Sequence, residues 1–141
     1  MQWRRSVKIY FAGPWEYGPK LKDLRNQIQS IFPIIKITST WLNIETSVSS
    51  NNAMEAGQYA QQDLDDVLRA DMLVLFNPEG FEQSPGRNIE FGYALALGHA
   101  LAIVGRRCGV FQYLPQIQHF PHTTYFLQWL NEYQQTPYLR K

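Results

Sequence analysis

"DMLVLF", Asp71–Phe76, is the stretch on which the fold turns. Five apolar residues follow the aspartate without a polar interruption, and turn-forming residues begin at Asn77. A strand with one wet face alternates apolar and polar residues; one that does not alternate is covered on both faces, the habit of central strands in parallel sheets. The sequence around it fits that setting. Upstream, Ala53–Ala70 has helical spacing, with Ala56, Tyr59, Ala60, Leu64, Val67 and Leu68 on one face. Downstream, the loop "NPEGFEQSPG" leads into a helix that runs to Gly98, placed as its C-cap, and then to a second buried strand, "ALAIV" (Ala100–Val104). Further out lie a strand "VKIYFA" (Val7–Ala12) closed by Gly13-Pro14, a helix from Pro19 to Phe32 stopped by Pro33, and a strand "IIKIT" (Ile34–Thr38). A long polar loop occupies Ser39–Asn52, and the tail holds a short strand at Gln118–Phe120 and a helix from Thr123 to Gln134. Strands and helices alternate with no repeat, low-complexity tract or linker. The prediction is one domain over residues 1–141, α/β in class: a doubly wound, flavodoxin- or Rossmann-like parallel sheet with helices on both faces.

Composition sets the outer limits. A chain of 141 residues that is 45% hydrophobic and 18% charged can bury a proper core. A net charge of +1 gives no electrostatic basis for binding nucleic acid or an anionic membrane. One cysteine, Cys108, cannot form an internal disulfide and fits a reducing compartment. Phe91–Gly105, the longest apolar-leaning stretch, is too short to span a bilayer and is broken by Gly98 and His99. Arg4 and Arg5 precede only a short alternating run, so no signal peptide is expected. A soluble cytoplasmic protein is the expectation.

In sheets of this kind ligands collect at the carboxyl ends of the strands, where strand order reverses. That directs attention to Gly13–Gly18 and Asn77–Gly86. The second of these runs into "SPGRNIEFGYA" (Ser84–Ala94), where Ser84-Pro85 supplies an N-cap and a first helical residue. Glu90 shares a face with Tyr93, Ala94 and Leu97. A carboxylate there is costly to desolvate unless its charge is used, and the nearby helix N-terminus favours the ionised form. Such a group suits nucleophilic attack in glycosyl transfer. The plainer reading, a glutamate that stabilises the helix start, stays open on the residues alone.

Asp63 repeats the anomaly. It lies four after Tyr59 and four before Val67, while Asp65 and Asp66 read as its solvated neighbours. Tyr10, near the end of the first strand, is either a partner for a carboxylate or a core aromatic. Trp15, Tyr17 and Trp41 lie in loops beside the expected cleft, able to stack on a heterocycle or simply to cover the core. Dinucleotide-binding, P-loop and nucleophile-elbow motifs are absent. His119 and His122 flank Pro121 without partners at metal-ligand spacing and read as loop histidines, and Cys108 as an ordinary loop thiol, so no metal is expected.

"KIYFAGPW", "QQDLDDVLRADMLVLF" and "GRNIEFGYALALGHALAIVG" together resemble the nucleoside 2-deoxyribosyltransferase superfamily, which includes N-glycosidases acting on deoxynucleoside 5'-monophosphates. The resemblance covers Val7 to Phe120 in order and spacing. It implies that Glu90 is the nucleophile, that Asp63 assists proton transfer to the leaving base, and that Tyr10 orients the nucleophile. It also implies a homo-oligomer, dimer or higher, and a small-molecule nucleoside or nucleotide as partner, with no metal or organic cofactor. One departure carries information. Transferases of free nucleosides often place an acidic residue six positions before the nucleophile, where this chain has Ser84. A carboxylate there would repel a 5'-phosphate, whereas the Ser84 hydroxyl, the Gly86 N–H and Arg87 would accept one. Gly13, Trp15, Trp41, Asn77, Ser84, Gly86 and Arg87 are therefore the expected substrate contacts. The rival readings are a non-catalytic nucleotide-binding module on the same fold and a hydrolase of another N-riboside.

Overall fold

The computed structural model describes residues 6–45 and 52–135. Arg4, Arg5 and residues 46–51 of the predicted Ser39–Asn52 loop lie outside them. In chain order the elements are β1 (Val7–Ala12), α1 (Gly18–Ile31), β2 (Ile35–Ile37), α2 (Ala53–Arg69), β3 (Met72–Asn77), α3 (Pro85–Ala96), β4 (Ala100–Gly105), β5 (Gln118–Phe120) and α4 (Thr123–Gln135). Short 3-10 turns at Trp15–Tyr17, Thr40–Asn43 and Val110–Tyr113 punctuate the loops.

The strands form one sheet in the order β2-β1-β3-β4-β5, every pairing parallel. β3 stands at its centre with all six residues buried, which is why its sequence shows no alternation. Side chains of a strand point alternately to opposite faces, and the two faces here bury different sets. Ile9, Phe11, Val74 and Phe76 join Leu21, Leu24 and Ile28 of α1 and Phe126 and Leu130 of α4. Tyr10, Ala12, Leu73 and Leu75 join Val67 of α2 and Phe91 and Ala94 of α3. Each fully buried Leu or Phe contributes about 1.5–3 kcal/mol relative to exposure. The result is the doubly wound α/β sheet that the alternation of elements predicts.

From β1 the chain passes through α1 to the edge strand β2, then returns over the opposite face through α2 to β3. Strand order therefore reverses between β1 and β3, and the loops after them diverge to leave a crevice. Of the tail aromatics, Phe126 is fully buried against Phe11 and Phe76, and Trp129 stacks on it, so these two cap the sheet. Phe111 and Tyr113 stay exposed, at 69% and 60%.

Two glycines show why their positions are fixed. α3 ends in a Schellman arrangement, with Gly98 N–H on the Leu95 carbonyl, His99 N–H on that of Ala94, and Gly98 at φ +77°. Gly105 closes β4 at φ +103°, where an added Cβ would stand 2.4 Å from the Asn77 carbonyl oxygen. That neighbour is backbone of β3 and cannot rotate away. Gly105→Ala is expected to destabilise the protein by about 3 kcal/mol, from left-handed strain plus the clash. Urea unfolding checks this, and a midpoint within error of wild type would refute it.

Candidate active site

The site is built from three elements on one face of the sheet. β1 points Tyr10 toward α2 and α3, and the phenol ring is completely buried between them. α2 is capped by Asn52, whose side chain accepts the Glu55 N–H at 3.1 Å, and the helix carries Asp63 inward. α3 begins at Pro85 and turns Arg87, Phe91 and Ala94 into the protein, with Glu90 half-buried beside them. Ile89 and Leu97 point to solvent, so the inward stripe is not the one that apolar spacing suggests.

Glu90, Asp63 and Tyr10, far apart in the chain, thus come together. Burial pushes the Glu90 carboxyl up to about 8, the Asp63 charge adds to the rise, and a hydrogen bond from Tyr10 opposes it. Burial also pushes Asp63 up to about 6, helped by the charge of Asp66 and opposed by a hydrogen bond with Glu90. The phenol of Tyr10 is held well above its ordinary range, by burial first and then by the Glu90 and Asp63 charges. Tyr10 Oη has no well-aligned hydrogen-bond partner, although Glu90 is close enough to couple to it. The phenol faces Glu90 as a donor, in a contact too poorly aligned to be a full hydrogen bond.

The ionisation predicted for Glu90 is reversed. Glu90 is the sixth residue of α3, beyond the first turn whose free N–H groups favour a negative charge, and it faces other carboxylates. The two carboxyls titrate as a unit and hold one proton between them near neutrality.

Asp66 is a second correction. Read from the sequence as solvated, it is 2% exposed. Its Oδ2 accepts the Thr40 backbone N–H at 3.0 Å and the Thr40 hydroxyl at 2.6 Å, and its Oδ1 pairs with Arg69. The inward face of α2 runs through Ala56, Tyr59, Asp63, Asp66, Val67 and Ala70, while Leu68 and Ala60 are exposed. Asp63, Asp66 and Val67 at three-four spacing, with Arg69 three after Asp66, is the signal that would have found this group.

The expected substrate contacts divide into two sets. Trp15 and Trp41 face each other with ring centroids 6.2 Å apart, and the Trp41 indole donates to the Phe11 carbonyl at 2.8 Å. They border a cavity of about 370 Å³ that also involves Glu16, Lys22 and Leu42. Gly13 packs against α1, where a Cβ would come within 3.0 Å of Leu21 Cδ1. Ser84 occupies the N-cap position of α3, but its hydroxyl makes no capping hydrogen bond; Gly86 is open on its outer side.

Asn77 and Arg87 are engaged elsewhere. The Asn77 amide donates to the Arg106 carbonyl and to Gln112, and accepts from Gln83. Arg87 is buried, with Nη2 on the Glu82 carbonyl at 2.7 Å and Nε and Nη1 unpartnered. Burial lowers its proton affinity; the charged side chains near it are Arg106 and Glu16, not Glu90. A second cavity of about 340 Å³ lies between Tyr17, Asn77, Arg106 and His122, and neither it nor the Trp15–Trp41 cavity is lined by Tyr10, Asp63, Asp66 or Glu90. His119 belongs to β5 rather than a loop, its Nε2 2.7 Å from the Gly105 carbonyl oxygen. Among the described residues no helix is long and apolar enough to cross a membrane.

Solved structures with this architecture include a 2-desoxiribosyltransferase from Leishmania mexicana, at 18% identity and TM-score 0.60, covering 90% of this chain and 98% of that one. A CMP N-glycosidase, BcmB, from Clostridium botulinum is similar at 17% identity and TM-score 0.56, covering 89% and 99%. A conserved protein from Enterococcus faecalis V583 is similar at 22% identity and TM-score 0.51, covering 90% and 87%. At these identities the likeness is one of fold. No curated protein sequence matches the chain. The sequence profile described as nucleoside 2-deoxyribosyltransferase matches residues 9–119, most of the chain and a span that contains Tyr10, Asp63 and Glu90, and on that match this protein belongs to the nucleoside 2-deoxyribosyltransferase family.

Proposed function

We propose that the protein cleaves or transfers the N-glycosidic bond of a deoxynucleoside or its 5'-monophosphate through a glutamyl-glycosyl intermediate. The observation that carries this reading is the Asp63–Glu90 pair: two inward carboxyls from different helices, hydrogen-bonded to each other and both pushed up by burial, beside a buried phenol. Isolated buried carboxyls are expensive, and a pair sharing one proton supplies a nucleophile and an acid together.

Burial favours the proton on Glu90, and the working form is the one in which it has moved across their hydrogen bond to Asp63. Glu90 attacks the anomeric carbon, the bond to the base breaks, and its electron pair stays on the base, which takes the proton from Asp63. Tyr10 donates to Glu90 and holds the attacking oxygen in line. Water then attacks the anomeric carbon, expels Glu90 and returns a proton to Asp63; an acceptor base in place of water makes the protein a transferase. Trp15 and Trp41 offer flat surfaces for the base. The uncommitted Ser84 hydroxyl and the open Gly86, at the start of α3, suit a 5'-phosphate. Arg87 would add to that site only by leaving the Glu82 carbonyl. The exposed Val110, Phe111 and Tyr113 favour a homo-oligomer.

The test is chromatography for free base after incubation with deoxynucleosides, ribonucleosides and their 5'-monophosphates. Base release is expected with a bell-shaped pH profile whose limbs lie near 6 and 8, because the pair must hold one proton, not two or none. Nucleotide binding by calorimetry with no release at any pH would replace this reading with the binding module.

A further inference from the structure

The mechanism above uses two carboxylates, yet the structure holds a third in the same place. Asp66 lies one helical turn after Asp63 on the inward face of α2, and its side chain is as buried as the core. Three donors meet it: the Thr40 backbone N–H, the Thr40 hydroxyl and the Arg69 guanidinium. An ionised carboxylate is acceptor-only, so this set complements a charged Asp66. The backbone carbonyl of the same residue accepts the Thr38 hydroxyl at 3.0 Å, which fixes α2 to the segment after β2. Thr40 opens the 3-10 turn that carries Trp41, so one residue ties together the aspartate helix and the aromatic loop.

Anchoring α2 to the Thr40 turn does not by itself call for a charged side chain, since neutral acceptors serve a hydroxyl and an N–H equally well. This one has its charge within reach of every titrating group of the site: Asp63 on its own helix, Tyr10 on β1 and Glu90 on α3. Arg69 is the cation that faces it, and the Thr40 turn presents only neutral donors. Arg69 is about half exposed, so its charge is screened by solvent, while the Asp66 carboxylate is not.

We propose that Asp66 is a positioning residue for the Asp63–Glu90 pair: its fixed negative charge holds the shared proton in the site, and its bonds to Thr40 lock the Trp41 turn to the helix that delivers that proton. This deepens the glycosidic reading and rests on it. The charge acts on where the proton resides without touching substrate.

The experiment reads the proton with and without turnover. Carboxyl 13C NMR titration of the full chain, with no substrate present, gives the midpoints of Asp63 and Glu90. Asp66→Asn keeps the size and an acceptor for Thr40 but removes the charge, and both midpoints are expected to fall, by about one pH unit for Asp63. Arg69→Gln leaves the Asp66 charge unopposed and is expected to move them the other way. In base-release assays the pH profile should shift toward acid in Asp66→Asn, with roughly a tenfold loss at the alkaline limb. Opposite shifts in the two variants support the proposal. Unmoved midpoints, or a uniform loss of activity at every pH, would reduce Asp66 to a scaffold and overturn it. If neither wild type nor variants release base, the NMR midpoints still decide the electrostatic role, so the two failures remain separate. If Asp66→Asn does not fold, Arg69→Gln alone carries the test, and unchanged midpoints there refute the proposal.

Discussion

Glu90→Ala is expected to lower base release by about 10⁴-fold or more, without a matching loss of substrate binding. On the proposed reading the alanine leaves no group to capture the anomeric carbon, and only residual catalysis from binding and from Asp63 survives. The substitution makes a second prediction that separates chemistry from folding. An acid whose proton affinity is higher folded than unfolded contributes stability at low pH, and that contribution is lost as pH rises through the folded value. For Glu90 the unfolded value is the ordinary one near 4.5 and the folded one about 8. Between them the native protein must keep a proton that solvent would remove, so stability falls with rising pH across that window. Glu90→Gln, which cannot ionise, is therefore expected to melt several degrees higher than wild type at pH 8 and nearly with it at pH 4. A dead variant that is also less stable at pH 8 would point to a structural glutamate, and the nucleophile reading would be abandoned.

Asp63→Asn ranks second, with an expected loss of about 10²–10⁴ in turnover near neutrality. Its signature lies in leaving-group dependence. A deoxyriboside of a natural base needs a proton as the bond breaks, whereas one of p-nitrophenol departs as a stable anion and does not. The variant should be crippled on the first and far less affected on the second. Losing the Asp63 charge also removes one of the causes that raise Glu90, so Glu90 should ionise at lower pH and the activity that remains should persist into acid. Equal losses on both substrates would exclude Asp63 as the proton donor.

The fold was legible because its decisive signals are local. Asp71–Phe76 is apolar throughout because β3 is covered on both faces and paired on both edges. Gly98 announced the end of α3 because only a left-handed residue completes that cap. Glu90 and Asp63 were visible as charges on apolar faces, but what surrounds them was not. Apolar spacing does not reveal Asp66, because this helix face is inward through its acids. The charge state of Glu90 was misjudged because a helix N-terminus can be read from Ser84-Pro85, while two carboxylates arriving from α2 depend on how helices pack. Asn77 at the end of β3 and Arg87 in the first turn of α3 flank the expected loop, yet their partners, Gln112 and the Glu82 carbonyl, are chosen by contacts that no spacing announces.

The centrality of β3 has a kinetic consequence. Tyr10 arrives from the strand on one side of β3, Asp63 from the helix before it and Glu90 from the helix after it. The three groups take their full mutual arrangement only when β3 is docked between β1 and β4, a long-range closure of the slow kind. Until then the acids are separate, solvated and chemically ordinary. On refolding, base-releasing activity should therefore return only with the slowest phase that reports burial of β3, and helical signal alone should recover earlier without it.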